Sequence, residues 1–372
     1  MKVLGLIFAG GRGENLGLLT TKRASAALPV AGKYRMIDFT LSNMVASNIR
    51  RVGVLTQYSP RSLIDHLGSG KEWDLDRKHG GLTLLQPYMA INNKYWYRGT
   101  GDAIHQNMTF LRRSDEDYVL MASGDHIYTM NYSELFNYHF SKGADVTFLY
   151  KEMDESYDLT QYGQLELTED GRITNFYEKP EEIRSNKAFL GVYFINKHLL
   201  MDLLYNTIPQ SAGYDILLDV LIPNLHKLRF YGYKFDGYWR NTKKGINEYF
   251  RINQDLLDEN VRNQLFYTRN TVHTKLKDLP SPKCTGTAHV KNSIVSDGCI
   301  ISGRVINSVI SRGVQIKAGA VVENSIIMQD TIVEEGAHVK YSVFDKECNI
   351  RTEKRLIGRK DDLLVFEKGS VV

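Results

Sequence analysis

A short repeat in the last quarter of the chain constrains the fold more than any other feature. Its four units are spaced 15, 17 and 17 residues apart, and they read NSIV (292–295), NSVI (307–310), NSII (324–327) and YSVF (341–344). Apolar residues also recur six positions apart, as in the pairs Ile294 and Ile300, Ile316 and Val322, Ile326 and Ile332, and Val333 and Val339. A period of six within a repeat of about 17 residues is typical of a parallel β-helix, in which each coil stacks on the previous one. An antiparallel sandwich is the alternative, but it does not require four units in phase.

The N-terminal two thirds of the chain show a different pattern, in which short apolar runs alternate with helical segments. Two such runs are VLGLIFA (3–9) and YVLMAS (118–123), and SPRSLIDHLGSG (59–70) is typical of a helix. This alternation predicts an α/β domain with a mainly parallel sheet and helices on both faces. Ligands bind such domains at the carboxyl ends of strands, where GGRG (10–13) and SGDH (123–126) stand.

These patterns divide the chain into three parts. We expect an α/β domain over residues 1–250, a polar helix with a proline-containing linker over 251–285, and the β-helix over 286–372. The length of 372 residues suits two domains.

Composition argues against several classes of protein. The net charge of +4 is small and scattered, so we expect no nucleic-acid partner, although it suits a protein that handles small phosphorylated ligands. No run of about 18 apolar residues is present, so we expect no membrane span, and no cleavable signal sequence is recognisable. The three cysteines match no metal-binding spacing, which favours free thiols in a reducing cytoplasm.

The glycine-rich turn GGRG is a weak signal alone, because a plain strand-to-helix turn looks alike. Its glycines let backbone N–H groups approach phosphate oxygens. The surrounding sequence, FAGGRGENLGLLTTKRASAALPVAGKYRMIDFTLSN (8–43), resembles the opening signature of the sugar-phosphate nucleotidyltransferases, and more narrowly that of the glucose-1-phosphate adenylyltransferase family. The resemblance covers nearly the whole chain and continues in NIRRVGVLTQY (48–58), WYRGTGDAIHQN (96–107), YVLMASGDHIYTMNY (118–132), QYGQL (161–165), ITNFYEKP (173–180), AFLGVYFIN (188–196) and GYWRNTKKGINEY (237–249).

This resemblance implies a Rossmann-like nucleotidyltransferase domain followed by a left-handed parallel β-helix. In that family ATP and glucose 1-phosphate give ADP-glucose and pyrophosphate, usually with Mg²⁺ held by two aspartates, the first of which corresponds to Asp125. The resemblance assigns nucleotide binding to Gly10, Gly11, Gly13, Gly99, Thr100 and Asp102. It assigns the sugar phosphate to Gly163, Glu178, Lys179 and the position of Phe189.

Several positions of the family signature carry different residues in this chain. Asn15 replaces an arginine and Ser25 replaces a lysine. Asn241 replaces the second metal aspartate, and Lys243 follows it in place of a glycine. Phe189 replaces a serine that faces glucose. Because removing a well-placed cation costs on the order of 10²–10³ in rate, we expect no intact catalytic set and only weak support for Mg²⁺.

These departures resemble the regulatory-type, non-catalytic subunit of the bacterial enzyme, which works beside a catalytic paralogue in glycogen synthesis. The resemblance then implies a heterotetramer with a catalytic subunit. It also implies anionic effectors, such as sugar bisphosphates or phosphate, bound near Arg23, Lys33 and Arg35. Solvated surface charge is the simpler explanation of those three cations.

Two other functions stay open at this point. An active nucleotidyltransferase with altered substrate preference is supported by Asp125, Glu178 and Lys179. An acyltransferase that uses the β-helix is less favoured, because His289 and His338 stand beside no cofactor motif.

Overall fold

The computed structural model describes residues 1–89, 96–154 and 157–372. The strands before residue 250 are β1 (Val3–Phe8), β2 (Pro29–Val30), β3 (Tyr34–Arg35), β4 (Arg51–Leu55), β5 (Gly81–Leu85), β6 (Tyr118–Ser123), β7 (His126–Ile127), β8 (Val146–Glu152), β9 (Gly163–Leu167), β10 (Ile173–Glu178), β11 (Lys187–Asn196), β12 (Phe230–Lys234) and β13 (Arg240–Asn241).

Helices separate most of these strands. The α-helices are α1 (Met36–Ala46), α2 (Arg61–Leu67), α3 (Thr100–Gln106), α4 (Met108–Arg112), α5 (Ser133–Ser141), α6 (Lys197–Thr207), α7 (Ile246–Asp255) and α8 (Glu259–Phe266). Short 3₁₀ segments are Glu14–Thr20, Ser25–Ala27, Lys71–Trp73, Ile208–Gln210 and Ile222–Asn224, and Ile216–Leu221 is a π-helical turn. Among the described residues, no helix is both long and apolar enough to cross a membrane.

One large sheet organises the N-terminal part. Strands β6, β1, β4 and β5 lie side by side and run parallel, with β1 between β6 and β4. The first five residues of β1 are all buried, as expected of a parallel strand with both faces covered. Beyond β6 the sheet becomes mixed, because β11 pairs antiparallel with β6, β8 and β9. The parallel half therefore places the loops after β1 and β6 at one edge of the sheet.

The C-terminal part is a stack of coils, as the repeat predicts. Over the described residues it forms three parallel five-stranded sheets. Their strands are β14 (Lys283–Cys284), β15 (His289–Lys291), β16 (Ile294–Val295), β17 (Ile300–Ile301), β18 (Arg304–Ile306), β19 (Val309–Ile310), β20 (Gln315–Ile316), β21 (Val321–Glu323), β22 (Ile326–Ile327), β23 (Ile332–Val333), β24 (His338–Lys340), β25 (Ser342–Phe344), β26 (Asn349–Ile350), β27 (Arg355–Ile357) and β28 (Leu364–Phe366). This arrangement is that of the predicted left-handed β-helix.

The asparagine and serine of each repeat have separate structural roles. Asn307 and Asn324 have φ of 46° and 45°, a left-handed conformation that asparagine tolerates better than most residues. They form the corners at which the chain turns from one sheet to the next. The following serines stack from coil to coil, since Ser325 N donates to Ser308 Oγ at 3.1 Å and Ser342 N donates to Ser325 Oγ at 3.2 Å.

The apolar residues spaced six apart fill the interior of the coils only in part. Ile316, Val322, Val333 and Val339 are buried in the core of the β-helix. By contrast, Ile300 is 44% exposed and points outward. The sequence period therefore identified the coil correctly, while the first coil leaves an apolar side chain on the surface.

The two parts of the chain are joined by a buried contact. Arg23 Nη2 lies 2.8 Å from Asp345 Oδ2, and both side chains are only 3% exposed. Helix α7 packs beside this pair, with the rings of Phe250 and Tyr341 6.5 Å apart. A single apolar cluster contains residues from both parts, including Leu28, Tyr249, Met328 and Val343.

Candidate functional site

The glycine-rich turn lies at the carboxyl edge of the sheet, between the ends of β1 and β6. Gly10 has little room for a side chain, because a Cβ there would lie 3.2 Å from the backbone nitrogen of Gln57. Gly13 has φ of 64° and begins the Glu14–Thr20 turn. The turn borders a cavity of about 360 Å³, whose lining includes Gly10, Gly11, Ser25, Gly99, Thr100 and Asp125.

Asp102 supports this cavity without lining it. Its side chain is buried, and its Oδ2 accepts hydrogen bonds from Arg98 N at 2.9 Å and from Gln106 Nε2 at 2.8 Å. Thr100 is held similarly, since its hydroxyl donates to Asp215 Oδ2 at 2.9 Å. Both contacts fix the start of α3, where Gly99 and Thr100 face the cavity.

The carboxylate of Asp125 is held by neutral donors. Ser123 Oγ donates to Oδ1 at 2.6 Å, and Ser25 Oγ donates to Oδ2 at 3.1 Å. Ser25 stands where the family signature has a lysine. A hydroxyl that binds a carboxylate contributes no net positive charge to the cleft.

Asn241 lies beside Asp125 but does not complete a metal site. Strands β13 and β7 pair so that Asn241 is opposite His126, the residue after Asp125. The Asn241 side chain is 1% exposed, and its Oδ1 accepts from Lys243 N at 3.1 Å. Its Nδ2 has no hydrogen-bond partner within the described ranges. Among the described residues, no three His, Cys, Asp or Glu side chains could together hold a metal. These residues therefore do not fit the two-carboxylate Mg²⁺ site that the family resemblance implies.

Asn15 connects the glycine-rich turn to the loop after β13. Its Nδ2 donates to the carbonyl oxygens of Thr242 at 2.8 Å and Lys243 at 2.6 Å. Gly245 closes the same contact, because a Cβ there would lie 2.6 Å from the Asn15 carbonyl oxygen. The residue that replaces an arginine is thus used to fix backbone rather than to face a phosphate.

Lys243 brings a cation close to the retained carboxylates. Its side chain is exposed to solvent, yet desolvation by the walls of the cleft lowers its pKa, and the charges of Glu178 and Asp125 partly offset that shift. Lys179 adds a second ammonium, which lies 3.7 Å from Glu178 Oε1. Two cations and two carboxylates therefore share this end of the cleft.

His126 is neutral at ordinary pH. Complete burial lowers its pKa to about 4, although the nearby charge of Asp125 acts in the opposite direction. Its ring packs edge-on against Trp239, with centroids 5.3 Å apart. This histidine is a packed residue of the site wall, and Asp125 and Lys243 carry the local charge.

The residues assigned to the sugar phosphate are split between the cleft and the core. Gly163 lies against Glu178, because a Cβ on Gly163 would be 3.2 Å from Glu178 Oε2 and 2.4 Å from the ring of Phe176. Lys179 has φ of 44°, a strained conformation of the kind that clusters at functional sites. Phe189 is 7% exposed and packs in an aromatic cluster, with its ring centroid 4.7 Å from that of Phe148.

A second cavity, of about 190 Å³, lies between the N-terminal part and the β-helix. Six cationic side chains from four segments line it: Lys33, Arg35, Lys275, Lys277, Arg312 and Lys346. Among charged acids, only Asp65 joins them in the lining. Arg23 does not line this cavity, because it is paired with Asp345.

Burial and mutual repulsion lower the pKa values of cationic groups in this cavity. Burial, together with the nearby charges of Arg35 and Arg23, lowers the pKa of Lys346 to about 7. Burial also lowers the pKa of Arg35 to about 10, although Asp38 acts against that shift. Arg312 is 6% exposed, and its Nε has no hydrogen-bond partner among the residues that the structure describes. A buried donor without a partner and a set of mutually repelling cations both favour an anion here.

Comparisons with known proteins agree with this architecture. Residues 4–259 match the family model of the nucleotidyl transferases, and residues 281–363 match the GlmU-like C-terminal hexapeptide model. The chain is 42% identical over 326 residues to the glucose-1-phosphate adenylyltransferase of Thermotoga neapolitana, which covers 86% of this chain and 76% of that protein. The relatives from Clostridium acetobutylicum and Geobacillus stearothermophilus bear the same name and are 39% and 41% identical over 323 and 326 residues, which covers 86% and 87% of this chain and 84% and 83% of those proteins.

The chain belongs to the glucose-1-phosphate adenylyltransferase family. Its polar departures from that family's signature lie close to Asp125 and to the loop after β13, whereas Phe189 packs in the core. Asn15 and Asn241 both bind the loop that carries Lys243, and Ser25 binds Asp125. Asn15 and Asn241 therefore share one set of hydrogen bonds on the loop after β13, and Ser25 forms a separate one with Asp125.

Sequence reasoning missed four of the six cationic residues that line the basic cavity. It identified Lys33 and Arg35 but not the cations that reach the cavity from the linker and the coils. The sequence did carry a signal, since Lys275 and Lys277 lie two residues apart in the linker. Their convergence with Arg312 and Lys346 depends on how the β-helix packs.

Proposed function

We propose that this chain is a regulatory-type subunit of glucose-1-phosphate adenylyltransferase, catalytically weak or inactive by itself. The reaction of its catalytic partner converts ATP and glucose 1-phosphate to ADP-glucose and pyrophosphate in glycogen biosynthesis. One observation carries the proposal: Asn15, Ser25 and Asn241 turn their polar groups to protein partners around Asp125 and Lys243. Groups that would face the reacting phosphates in a catalytic relative are occupied here.

The physical argument concerns charge at the leaving pyrophosphate. Nucleotidyl transfer develops negative charge that preorganised cations or a metal must stabilise. This chain has an amide at position 15, a hydroxyl at position 25 and an amide at position 241. The effects of these losses need not add, but even one lost cation costs on the order of 10²–10³ in rate.

The basic cavity could give the chain a regulatory site. The basic cavity supports a role in sensing anionic effectors, such as sugar bisphosphates or phosphate. Lys33 and Arg35 line it together with Arg312 and Lys346 from the β-helix. Because the cavity lies between the two parts of the chain, an anion there would tie them together and shift their relative position in an assembly.

The proposed partner is a catalytic paralogue in a heterotetramer within the cytoplasm. The stacked coils of the β-helix offer a regular surface for such a contact. The β-helix supplies Arg312 and Lys346 to the cavity. A conformational change on effector binding would then pass to the partner subunit through the β-helix.

An active nucleotidyltransferase with altered substrate preference is the second candidate. The cavity beside the glycine-rich turn favours it, since Gly10, Gly11 and Thr100 still line an open space with Asp125. Lys179 beside Glu178 would serve the same reaction.

The test is ADP-glucose synthesis by the catalytic paralogue, measured alone and after co-expression with this chain, with and without fructose 1,6-bisphosphate. We expect a stable complex whose rate or effector response differs from that of the paralogue alone. Lys277→Gln should reduce the effector response, whereas Lys360→Gln, a matched change of an exposed lysine on the β-helix, should not. Absence of a complex, or a complex with unchanged kinetics, would contradict the proposal.

A further inference from the structure

The loop after β13 presents a cation where the family signature has a glycine. This loop, residues 241–245, lies against the segment after the glycine-rich turn, since Asn15 Nδ2 donates to the carbonyl oxygens of Thr242 and Lys243. The charges of Glu178 and Asp125 act on the Lys243 side chain. Lys243 is an exposed residue, although the protein around its ammonium group desolvates it enough to lower its pKa. Nothing in the regulatory role described above requires a lysine at this position.

The backbone of Lys243 is held from both sides by substituted residues. Asn15 Nδ2 donates to its carbonyl oxygen at 2.6 Å, and Asn241 Oδ1 accepts from its N–H at 3.1 Å. The next residue, Lys244, is turned the other way, since its Nζ lies 3.4 Å from Asp158 Oδ2. Two of the family departures therefore serve to place a third.

The charges that face Lys243 are a mixture of both signs. Glu178 has the strongest attractive interaction with it, followed by Asp125 and Asp215, while Lys179 repels it. The charge of Lys243 also helps to lower the pKa of His126, whose ring is neutral. The ammonium of Lys243 thus neutralises the carboxylates that would otherwise attract a divalent cation.

We propose that Lys243 replaces the divalent metal of this cleft, so that the chain binds the phosphate of a nucleotide or a hexose phosphate without Mg²⁺. An amide, Asn241, stands where the family signature has the second metal carboxylate, and Asp125 is already bonded to Ser123 and Ser25. A metal ion at Asp125 would also be repelled by Lys243. By contrast, an ammonium group on a flexible side chain is a compact point charge that can contact phosphate directly.

The ligand chemistry is that of a phosphate ester, which two compounds could supply. The glycine-rich turn lies on one side of Lys243 and offers backbone N–H groups, which suits a nucleotide. Lys179 and Glu178 lie on the other side, which suits a sugar phosphate. No covalent step is involved, so this inference stands whether or not the chain turns over.

The experiment titrates the full chain with ATP and, separately, with glucose 1-phosphate by calorimetry, once with EDTA and once with Mg²⁺. We expect at least one ligand to bind with a dissociation constant that differs by less than about threefold between the two conditions. ATP binding alone would place the phosphate at the glycine-rich turn, and glucose 1-phosphate binding alone would place it at Lys179. This comparison uses the unaltered protein, so it does not depend on whether a variant folds.

Variants then assign the effect to one side chain. Lys243→Gln should weaken binding in EDTA by about tenfold, the loss expected for one charge contact. Lys244→Gln, one residue along the same loop, should change binding by less than about twofold. The double variant N241D/K243G should bind more tightly with Mg²⁺ than with EDTA, by about tenfold.

Three results would overturn the inference. The first is binding that EDTA weakens by more than about threefold in the unaltered chain. The second is a Lys243→Gln variant that binds as well as Lys244→Gln. The third is no binding of either ligand. If instead the chain binds without Mg²⁺ and also synthesises ADP-glucose rapidly, the inference holds and the regulatory role fails.

Discussion

The cleft beside the glycine-rich turn and the cavity beside the β-helix differ in the positive charge that they carry. In the cleft beside the glycine-rich turn, amides and a hydroxyl stand at positions 15, 25 and 241. In the cavity beside the β-helix, six cations converge, and Asp65 is the one acidic side chain in the described lining. The segment that contains Ser25 also contains Lys33 and Arg35, so a single stretch of chain has lost charge at one site and kept it at the other.

This contrast separates the two uses of positive charge in such an enzyme. The cleft needs cations aimed at charge that develops during reaction, and it needs them at fixed positions. The cavity needs only enough cations to bind an anion at equilibrium. Under the proposed function, a chain with cations in the cavity and without them at these positions of the cleft would respond to anionic metabolites without performing the reaction.

The largest effect is expected at the buried ion pair that joins the N-terminal part of the chain to the β-helix. Arg23→Met leaves Asp345 buried and unpaired, which should lower the free energy of unfolding by about 3–5 kcal/mol. Urea unfolding measures the change. Arg351→Met, at an exposed arginine of the β-helix, is the control and should change stability by less than about 0.5 kcal/mol. A loss below about 1 kcal/mol in Arg23→Met would mean that the buried pair does not hold the two parts together.

Restoring the family residues in the cleft should raise catalysis. The quadruple variant N15R/S25K/N241D/K243G should synthesise ADP-glucose faster than the parent, on the order of 10²-fold, in the presence of Mg²⁺. Each single change should give far less, because residues that act as a unit are non-additive. A quadruple variant as slow as the parent would show that the missing charges do not account for the difference between this chain and its catalytic relatives.

A smaller effect is expected in the pH dependence of anion binding at the basic cavity. The pKa of Lys346 is lowered to about 7, so its ammonium is mostly charged near pH 6 and mostly neutral near pH 8. A bound anion favours the charged form, and sulfate keeps its charge over this range. Sulfate should therefore bind up to about tenfold more tightly near pH 6 than near pH 8.

The control for that measurement is Lys346→Met, in which the pH dependence of sulfate binding should largely disappear. Binding can be followed by the sulfate-induced rise in melting temperature. Tighter binding near pH 8, or an unchanged profile in the variant, would remove Lys346 from the anion site.

Local sequence patterns predicted the fold well. The NS repeat identified the β-helix because asparagine suits the left-handed corners and serine suits the ladder between coils. GGRG and SGDH were placed correctly at strand ends because parallel strands bring their carboxyl ends to one edge. In both cases the decisive interactions lie within a few residues or repeat at a fixed spacing.

Contacts between distant segments were not predictable in this way. Arg23 was expected to face an effector, but its partner Asp345 is 322 residues away in the sequence. Phe189 was expected at the sugar site, in place of a serine that faces glucose, and the structure packs it among aromatic rings where the β11 pairing shifts register between Phe189 and Tyr193. A register shift changes which face a side chain occupies, and strand alternation alone does not reveal it.

The most direct test of the account is the rate of ADP-glucose synthesis by the purified chain alone, with ATP, glucose 1-phosphate and Mg²⁺ in excess. The account predicts a rate at least about 10²-fold below that of its catalytic paralogue under the same conditions. A rate comparable to that of the paralogue would contradict it. Other groups would then have to supply the charge that Asn15, Ser25 and Asn241 lack.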